Sequence, residues 1–435
     1  MASINRQIPL YPLLLINFIG TLGFSIVLPF LVFLVIDFGG NAIIYGILAA
    51  MYPAFQLLGA PILGRWSDIY GRKKVLLISH GGTLLGWIFF LFALFLPVEN
   101  LFNISSPFLG TFVITLPLLV LFFARSIDGI TGGNISVANA YLADISSDEN
   151  RSKNFGKMAI SSNLGFIVGP ALAGILGATI YKEILPVMAA LILSLITLIV
   201  IWFSLKESKF TLAQLTVQQQ IPEKENVRKV FAQECKECYK ITNPKKLRFQ
   251  DIFKLKHILF LVSLYFFIFL GFNIFYTSFP IYAVDGLKWT IIEMGIFYAV
   301  LSGIMVFVQG PVLRKALKKF SEEKLVIIGS IILGINFILF VSNNNILIYG
   351  AAVLFAVGNG LMWPSFMSIL SKSAGNVYQG LIQGVSSSFG SLASIIGLIV
   401  GGFLYNIIGG STFLISGGII FVVFIMSFRL LKIKE

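Results

Sequence analysis

Charge is scarce in this chain. Only 12% of its 435 residues are Asp, Glu, Lys or Arg, about half the fraction usual in a soluble domain. The 57% that are hydrophobic have no use in a water-soluble fold, which excludes a soluble enzyme or carrier. Histidine and cysteine are scarcer still, at two each. The cysteines form one Cys-x-x-Cys pair, Cys235 and Cys238. A structural zinc site needs four ligands; there is no second pair, and the nearest histidine, His257, opens a separate apolar run. The thioredoxin-like context of a redox pair is missing too. The two cysteines read as reduced thiols in a polar stretch, and no metal or cofactor is expected. Paired carboxylates and a Ser/His/Asp set on facing segments are also lacking, which argues against an enzyme.

What the chain has in quantity is apolar runs long enough to cross a bilayer, about 17–25 residues each. Twelve are read, at 11–36, 42–63, 75–97, 118–143, 158–181, 184–205, 257–284, 291–313, 325–341, 345–370, 377–404 and 411–430. Lipid offers no partner to backbone N–H and C=O groups, so these runs must be helices. The first has only Arg6 before it, is too long for a signal h-region and lacks a cleavage site, so it is expected to be retained. The fold class is therefore an all-α membrane protein with 12 transmembrane helices.

The net charge of +13 is a matter of position. Of the 32 Lys and Arg, 29 fall in the N-terminus, the even-numbered loops and the C-terminus. Lys182 and Lys288 lie in odd-numbered loops, and Arg125 lies inside helix four. By the positive-inside rule both termini are expected in the cytoplasm, and no nucleic-acid partner is expected. Residues 206–256 are the one long polar stretch, with 12 basic residues. They divide the chain into an N-terminal six-helix bundle (1–205), a cytoplasmic linker (206–256) and a C-terminal six-helix bundle (257–435). The linker pattern accommodates a short amphipathic helix around Val227–Tyr239. The segment 98–117, with Glu99, Asn100, Asn103, Ser105, Ser106 and Pro107, has two readings. One is an extended periplasmic loop partly lying on the membrane; the other is an earlier start to helix four.

Three motifs carry the chemistry. Between helices two and three runs Gly64-Arg-Trp-Ser-Asp68-Ile-Tyr-Gly71-Arg72-Lys-Lys. Its glycines allow a tight turn, and Asp68 can face a helix N-terminus or pair with Arg72. A weaker copy after helix eight, Gly310-Pro-Val-Leu-Arg314 with Lys318 and Lys319, lacks the Asp and the second Gly-Arg. In helix four, Arg125-Ser-Ile-Asp128-Gly puts a base and an acid three residues apart, their Cβ atoms about 5–6 Å from each other on one face. Each ionised group at the bilayer centre costs about 2.5–3.5 kcal/mol, so such residues face a cavity or each other. The pair serves proton coupling or is a static bridge between helices. In helix five, Gly165-Phe-Ile-Val-Gly169-Pro170-Ala-Leu-Ala-Gly174 permits close helix contact and a kink at Pro170.

These motifs resemble those of the major facilitator superfamily, and the order from Arg125 to Gly174 is most similar to its tetracycline/proton and multidrug/proton antiporters. The resemblance implies two pseudo-symmetric bundles with a substrate site between them near the midplane. It also implies that Gly64, Asp68, Gly71, Arg72 and the added partner Asp144 latch the halves on the cytoplasmic side. Asp128 and Arg125 would carry proton coupling, with Asp128 standing where the family's helix-four motif has a neutral polar residue. Gly165, Gly169, Pro170 and Gly174 match the antiporter signature, apart from Ala173 where that pattern prefers Gly. A further departure is helix one, which has no acid before Asp37 at its periplasmic end.

Polar residues on apolar helices sketch the cavity: Asn17, Gln56, Asn134 and Asn163 in one half, Asn273, Tyr276, Asn359, Trp363 and Gln383 in the other. The family lines its cavity with helices one, four, seven and ten, which favours Asn17, Asn273, Tyr276, Asn359 and Trp363. Each of these is as readily a helix–helix hydrogen bond as a ligand. His80 is expected to cap or pack, and the 42 Phe to face lipid. The expected activity is proton-coupled export of a small amphipathic organic compound by a monomer in the bacterial inner membrane. Its partners would be that substrate, protons and the lipid bilayer. An importer of a metabolite or siderophore-like compound and a non-transporting receptor are the alternatives.

Overall fold

Pro29 breaks the first crossing. A proline inside a helix removes one backbone donor and clashes with the preceding turn, so the segment forms two helices, α1 (Tyr11–Ser25) and α2 (Leu31–Asp37). In this computed structural model the described residues are 9–27, 29–106, 110–132, 134–146, 148–208 and 257–432. The linker, with Cys235, Cys238 and the 227–239 segment, lies outside them, as does Pro107. After α2, Asn41 caps α3 (Ala42–Tyr70), its Oδ1 accepting from the N–H groups of Ile43 and Ile44 at 3.0 and 3.1 Å. Gly71, at φ +105°, turns the chain directly into α4 (Arg72–Ala93).

Of the two readings of 98–117, the earlier start to helix four is excluded. The segment is a β-hairpin, with β1 (Asn100–Ser106) antiparallel to β2 (Gly110–Thr115). Thr, Val, Ile and Phe fill β2, the side chains that suit a pleated surface. The hairpin is pinned to the turn after α2, where the N–H of Val113 donates to Gly39 O at 2.8 Å and Thr115 Oγ1 to Phe38 O at 2.8 Å. Helix four then begins at Leu116 and is itself divided, into α5 (Leu116–Thr131) and α6 (Asn134–Ile145). Helix five, α7 (Asp148–Gly177), starts ahead of its expected bound, and α8 (Ile184–Ser204) closes the first half.

The second half comprises α9 (Ile258–Asp285), α10 (Ile291–Phe307), α11 (Glu322–Leu339), α12 (Asn345–Ile408) and α13 (Thr412–Ser427). Thr290 and Glu293 form a capping box at the start of α10. A π-helical turn, Val308–Val312, and a last α turn, Leu313–Ala316, extend α10. Helical geometry runs unbroken through the 64 residues of α12, which laid straight would reach about 96 Å. Both its ends nevertheless meet Tyr282. The Tyr282 hydroxyl donates to Asn343 Oδ1 at 2.7 Å, and Gly410 lies against the same ring. The stretch therefore folds back on itself and supplies helices ten and eleven.

Nine helical stretches of the described residues are long and apolar enough to cross a bilayer. One of them, Val385–Lys432, holds two crossings divided at Gly409–Ser411. The broken helix one and α11 complete twelve. The side bearing the even-numbered loops is here termed the basic side, and the other the hairpin side. On the hairpin side the halves touch backbone to backbone. Gly46 of α3 meets Gly402 of α12, and Gly174 of α7 meets Gly295 of α10, each too close to admit a Cβ. The second half is packed with aromatic rings. Phe275 has the rings of Phe279, Phe337, Phe340, Phe355 and Phe413 at 4.8–5.9 Å. All six are fully buried, so the expectation that Phe is lipid-facing bulk fails here.

Candidate functional site

Arg125 and Asp128 lie on one face of α5, as their spacing requires, with Nη1 and Oδ2 3.7 Å apart and both side chains largely buried. Helix three makes the pocket. Gly86 leaves room, since a Cβ there would sit 3.2 Å from that of Asp128. Thr83 hydrogen-bonds Asp128, and the Phe90 ring lies 5.2 Å from the Arg125 guanidinium. Helix two contributes Tyr45 and Tyr52, both within electrostatic range of Arg125. Across the seam, Tyr298 of α10 is within the same range of Tyr45 and of Tyr276 on α9. The Arg125 Nε is buried without a partner. The pair thus has one loose, long contact and one spare donor, an arrangement able to change partners.

The 64–74 turn is tied to its own half. Asp144 Oδ2 accepts from Arg72 Nε at 3.1 Å and from Ser208 Oγ at 3.0 Å, while Arg72 Nη1 reaches Ser67 Oγ. Glu207 accepts from the backbone N–H of Arg72 at 2.7 Å and of Lys73 at 3.2 Å, a carboxylate at the positive end of α4. Sequence reading missed Glu207, which lies far from the turn along the chain. The Tyr141 hydroxyl donates to Lys206 O at 2.6 Å. These contacts join helices two, three, four and six within the first half. Gly64 has open space around it, and the Asp68 side chain is outside the described set.

The helix-five motif serves two neighbours. Gly165 and Gly169 press α7 against α1, where Ser25 Oγ donates to Gly165 O at 3.0 Å. Gly174 instead meets Gly295 of the other half, and Pro170 O approaches the same glycine. Of the cavity candidates, two are spent on packing. Asn17 Nδ2 donates to Ser162 Oγ at 2.7 Å and to Met158 O at 3.1 Å. Asn273 Nδ2 donates to Phe269 O at 2.7 Å and to Ser394 Oγ at 3.0 Å. Tyr276 packs on Phe272, Phe275 and Phe355, and Trp363 packs edge-on against Tyr265 and Phe269. Asn359 touches Met305 Sδ at 3.6 Å and has its Oδ1 buried and unpaired. Asn163 reaches across the seam to Gln309 Oε1 at 3.4 Å. The side chains of Asn134 and Gln383 lie outside the described set. His80 is buried, with its ring against Gly20 of α1.

On the hairpin side, Glu183 stands in the turn between α7 and α8. Burial raises its carboxyl pKa, the charge of Asp37 raises it further, and its own backbone N–H and Lys182 act in the opposite sense.

Two helical halves meeting at a glycine-lined seam, with an ion pair inside the apolar region, define a polytopic membrane protein. The chain belongs to the Major Facilitator Superfamily, whose family model matches residues 13–335 and 310–435. It is similar to the class H tetracycline resistance protein of Pasteurella multocida, at 26% identity over 91% of this chain and 88% of the relative. The class E tetracycline resistance protein of Escherichia coli is 28% identical over 90% of this chain and 87% of its own. Multidrug resistance protein 2 of Bacillus subtilis (strain 168) is 26% identical over 97% and 94%. Solved structures with the same fold include a D-xylose-proton symporter, with TM-score 0.69 and 15% identity over 96% of this chain and 95% of that one. The human organic anion transporter MFSD10 has TM-score 0.64 and 18% identity over 98% and 100%.

Proposed function

We propose that this transporter exports a small amphipathic organic compound in exchange for protons, by alternating access. The observation that carries the reading is the Arg125–Asp128 pair, buried and loosely held at 3.7 Å on helix four. Its relatives with tetracycline and multidrug resistance names, each aligned over most of the chain, support export of organic compounds. The basic side would be the cytoplasmic face of the bacterial inner membrane, with both termini there and the monomer as the working unit. The bundles 1–205 and 257–435 would rock against each other, joined by 206–256.

The chemistry follows from the pair. With Asp128 ionised, Arg125 is held to α5 by its charge. A proton arriving from the hairpin side on the carboxylate removes that attraction, and Arg125, with Nε already unpaired, is released to new partners. Loss of the proton to the basic side restores the pair, so substrate and proton leave on opposite faces. Gly64, Asp68, Gly71, Arg72 and Asp144 would gate the cytoplasmic side. Gly165, Gly169, Pro170 and Gly174 would seal the other face between cycles. Asn359, Trp363 and Tyr276 are the better substrate contacts, because Asn17 and Asn273 are already engaged.

The test is transport in proteoliposomes with an imposed pH gradient and an internal pH dye, with tetracycline and ethidium as probes. Compound-evoked proton flux that disappears in Asp128→Asn is the expected result. Flux that persists unchanged in this variant sinks the assignment of Asp128, and extrusion in place of uptake in inverted vesicles reverses the direction.

A further inference from the structure

The copy of the 64–74 turn after helix eight keeps its cations and has lost their partners. In the first half, Arg72 is held by Asp144 and Ser67, and Lys73 Nζ donates to Trp202 O at 2.7 Å. In the second, Arg314, Lys315, Lys318 and Lys319 are all exposed. None of the four side chains forms an ion pair or a hydrogen bond among the described residues. Like charges crowded on one turn repel each other, so an anion placed among them is favoured.

Beside this turn lies a cavity of about 710 Å³, within the roughly 300–1,000 Å³ span of ligand pockets. Its walls are the ends of membrane crossings. His257 precedes α9, Leu317 and Phe320 follow the last turn of α10, and Glu322 opens α11. Lys372 stands just beyond the Asn345–Leu370 crossing of α12, and Leu430 belongs to the turn Phe428–Lys432 after α13. The cavity therefore sits at the membrane–water boundary on the basic side. Leu317 and Phe320 are 45% and 44% exposed, apolar side chains left uncovered next to the cations. Phe428 and Leu431, near Leu430, are exposed too. α9 and α11 both start here without a side-chain cap. Their first N–H groups must be met from outside the helix, and their dipoles add positive charge. Two carboxylates complete the lining. Glu322 Oε1 already accepts from Lys372 Nζ and Ser368 Oγ, each at 2.7 Å, and Glu323 is engaged as well. The cations of the turn stay uncompensated.

We propose that this cavity binds an anionic phospholipid of the basic-side leaflet. Its phosphate sits among Lys318, Lys319 and the uncapped start of α9, and its acyl chains pass Leu317 and Phe320 into the bilayer. Basic pockets between helix ends on this side of a membrane suit anionic headgroups. Charge makes the choice of headgroup, since a zwitterionic lipid brings no net charge to the turn. The apolar wall makes the choice of lipid, since free phosphate gains nothing from Leu317 and Phe320. One lipid bound there touches the ends of helices seven, eight, nine, ten and twelve, all in the second half.

The test counts bound lipids and needs no transported compound. The full-length protein in detergent micelles is titrated with dioleoylphosphatidylglycerol, dioleoylphosphatidylethanolamine or inorganic phosphate, and its adducts are read by native mass spectrometry. A first phosphatidylglycerol is expected to bind well ahead of any further one, and ahead of phosphatidylethanolamine. Lys318→Gln combined with Lys319→Gln should weaken that first site about tenfold or more. Arg65→Gln combined with Lys74→Gln, which takes the same charge from the exposed residues of the first half's turn, should leave it unchanged. Equal binding of the two lipids, or equal weakening by the two double variants, reduces the effect to diffuse attraction and overturns the site. Inorganic phosphate that displaces the lipid at matching concentration assigns the cavity to a soluble anion and overturns the lipid. Phe320→Gln keeps every cation and should weaken the first site several-fold. Should the lysine variant fail to fold, Phe320→Gln decides alone, and an unchanged first site in it overturns the proposal.

Discussion

The two halves share a plan and differ in what fills it. Helix one is broken at Pro29 and helix four at Gly132, both in the first half, which also holds the membrane-embedded ion pair. In the second half helices seven and ten run through their own prolines, Pro280 and Pro364, as continuous helix. Where the first half has Arg125, Asp128 and, at the helix-four break, carbonyls of Thr131 and Gly132 that accept from Ser79 and Gln56, the second has Phe275 and its ring of phenylalanines. Side-chain hydrogen bonds to such carbonyls can exchange partners, whereas interlocked rings resist any change that opens a gap. The difference places the buried charges and the two broken helices in the first bundle and the densest ring packing in the second. The seam between them stays symmetric, with one glycine pair on each flank.

The strongest way to break this contrast is Asp128→Asn. It should lower proton-coupled transport by about tenfold or more, and, by leaving the buried Arg125 without its counter-ion, lower the melting temperature as well. If the second half held the coupling group, the same substitution would leave flux intact. The converse test is Phe275→Ala. Removing a fully buried ring from a packed cluster costs about 3–5 kcal/mol, read as a fall in thermal stability in detergent. The pH profile of whatever transport remains should not move. A shifted profile would mean that the second half also takes part in coupling.

A weaker effect tests the seam. Gly46→Val places a branched side chain where Gly402 and Leu398 O already touch the backbone. Overpacking of this kind costs roughly 1–3 kcal/mol, and here it falls on the closed hairpin side alone. Cysteine-labelling rates at hairpin-side positions should rise, and Gly295→Val on the other flank should act alike. Unequal effects of the two substitutions would show that the seam is less symmetric than its glycines.

Much of this was legible because the signals are local. An i, i+3 pair of opposite charges, a Gly-Arg turn between apolar runs and a skewed distribution of lysine are all read within one or two helical turns. The breaks had local signals as well, Pro29 and the Gly132-Gly133 doublet, but a continuous apolar run outweighs them when length alone is counted. The hairpin was missed because β2 is apolar enough to pass for helix four, and the bonds that pin it in place go to Gly39 and Phe38, far away in sequence. Glu207 and the acceptor of Gln56 belong to the same kind. An amide's partners on other helices are set by tertiary structure, which is why the sequence shows Asn17 and Asn273 as cavity candidates and not their bonds to Ser162 and Ser394.

The smallest effect concerns the turns on the hairpin side. The first half carries Lys182 and Glu183 there, and the corresponding turn of the second, Gly409–Ser411, carries no charge. Burial, followed by the charge of Asp37, holds the Glu183 carboxyl above its ordinary 4.5. The folded protein therefore binds this proton more tightly than the unfolded chain does. Stability from this source is complete below that ordinary value and is lost as pH rises through the raised one. Glu183 is only half-buried, so solvent screening keeps the effect small. Melting temperatures taken across the acidic range should fall slightly with pH in the wild type, and Glu183→Gln should flatten that slope. A slope that survives in Glu183→Gln would move the titrating group elsewhere, with Asp37, at the end of α2 and within reach of Glu183's charge, the residue to substitute next.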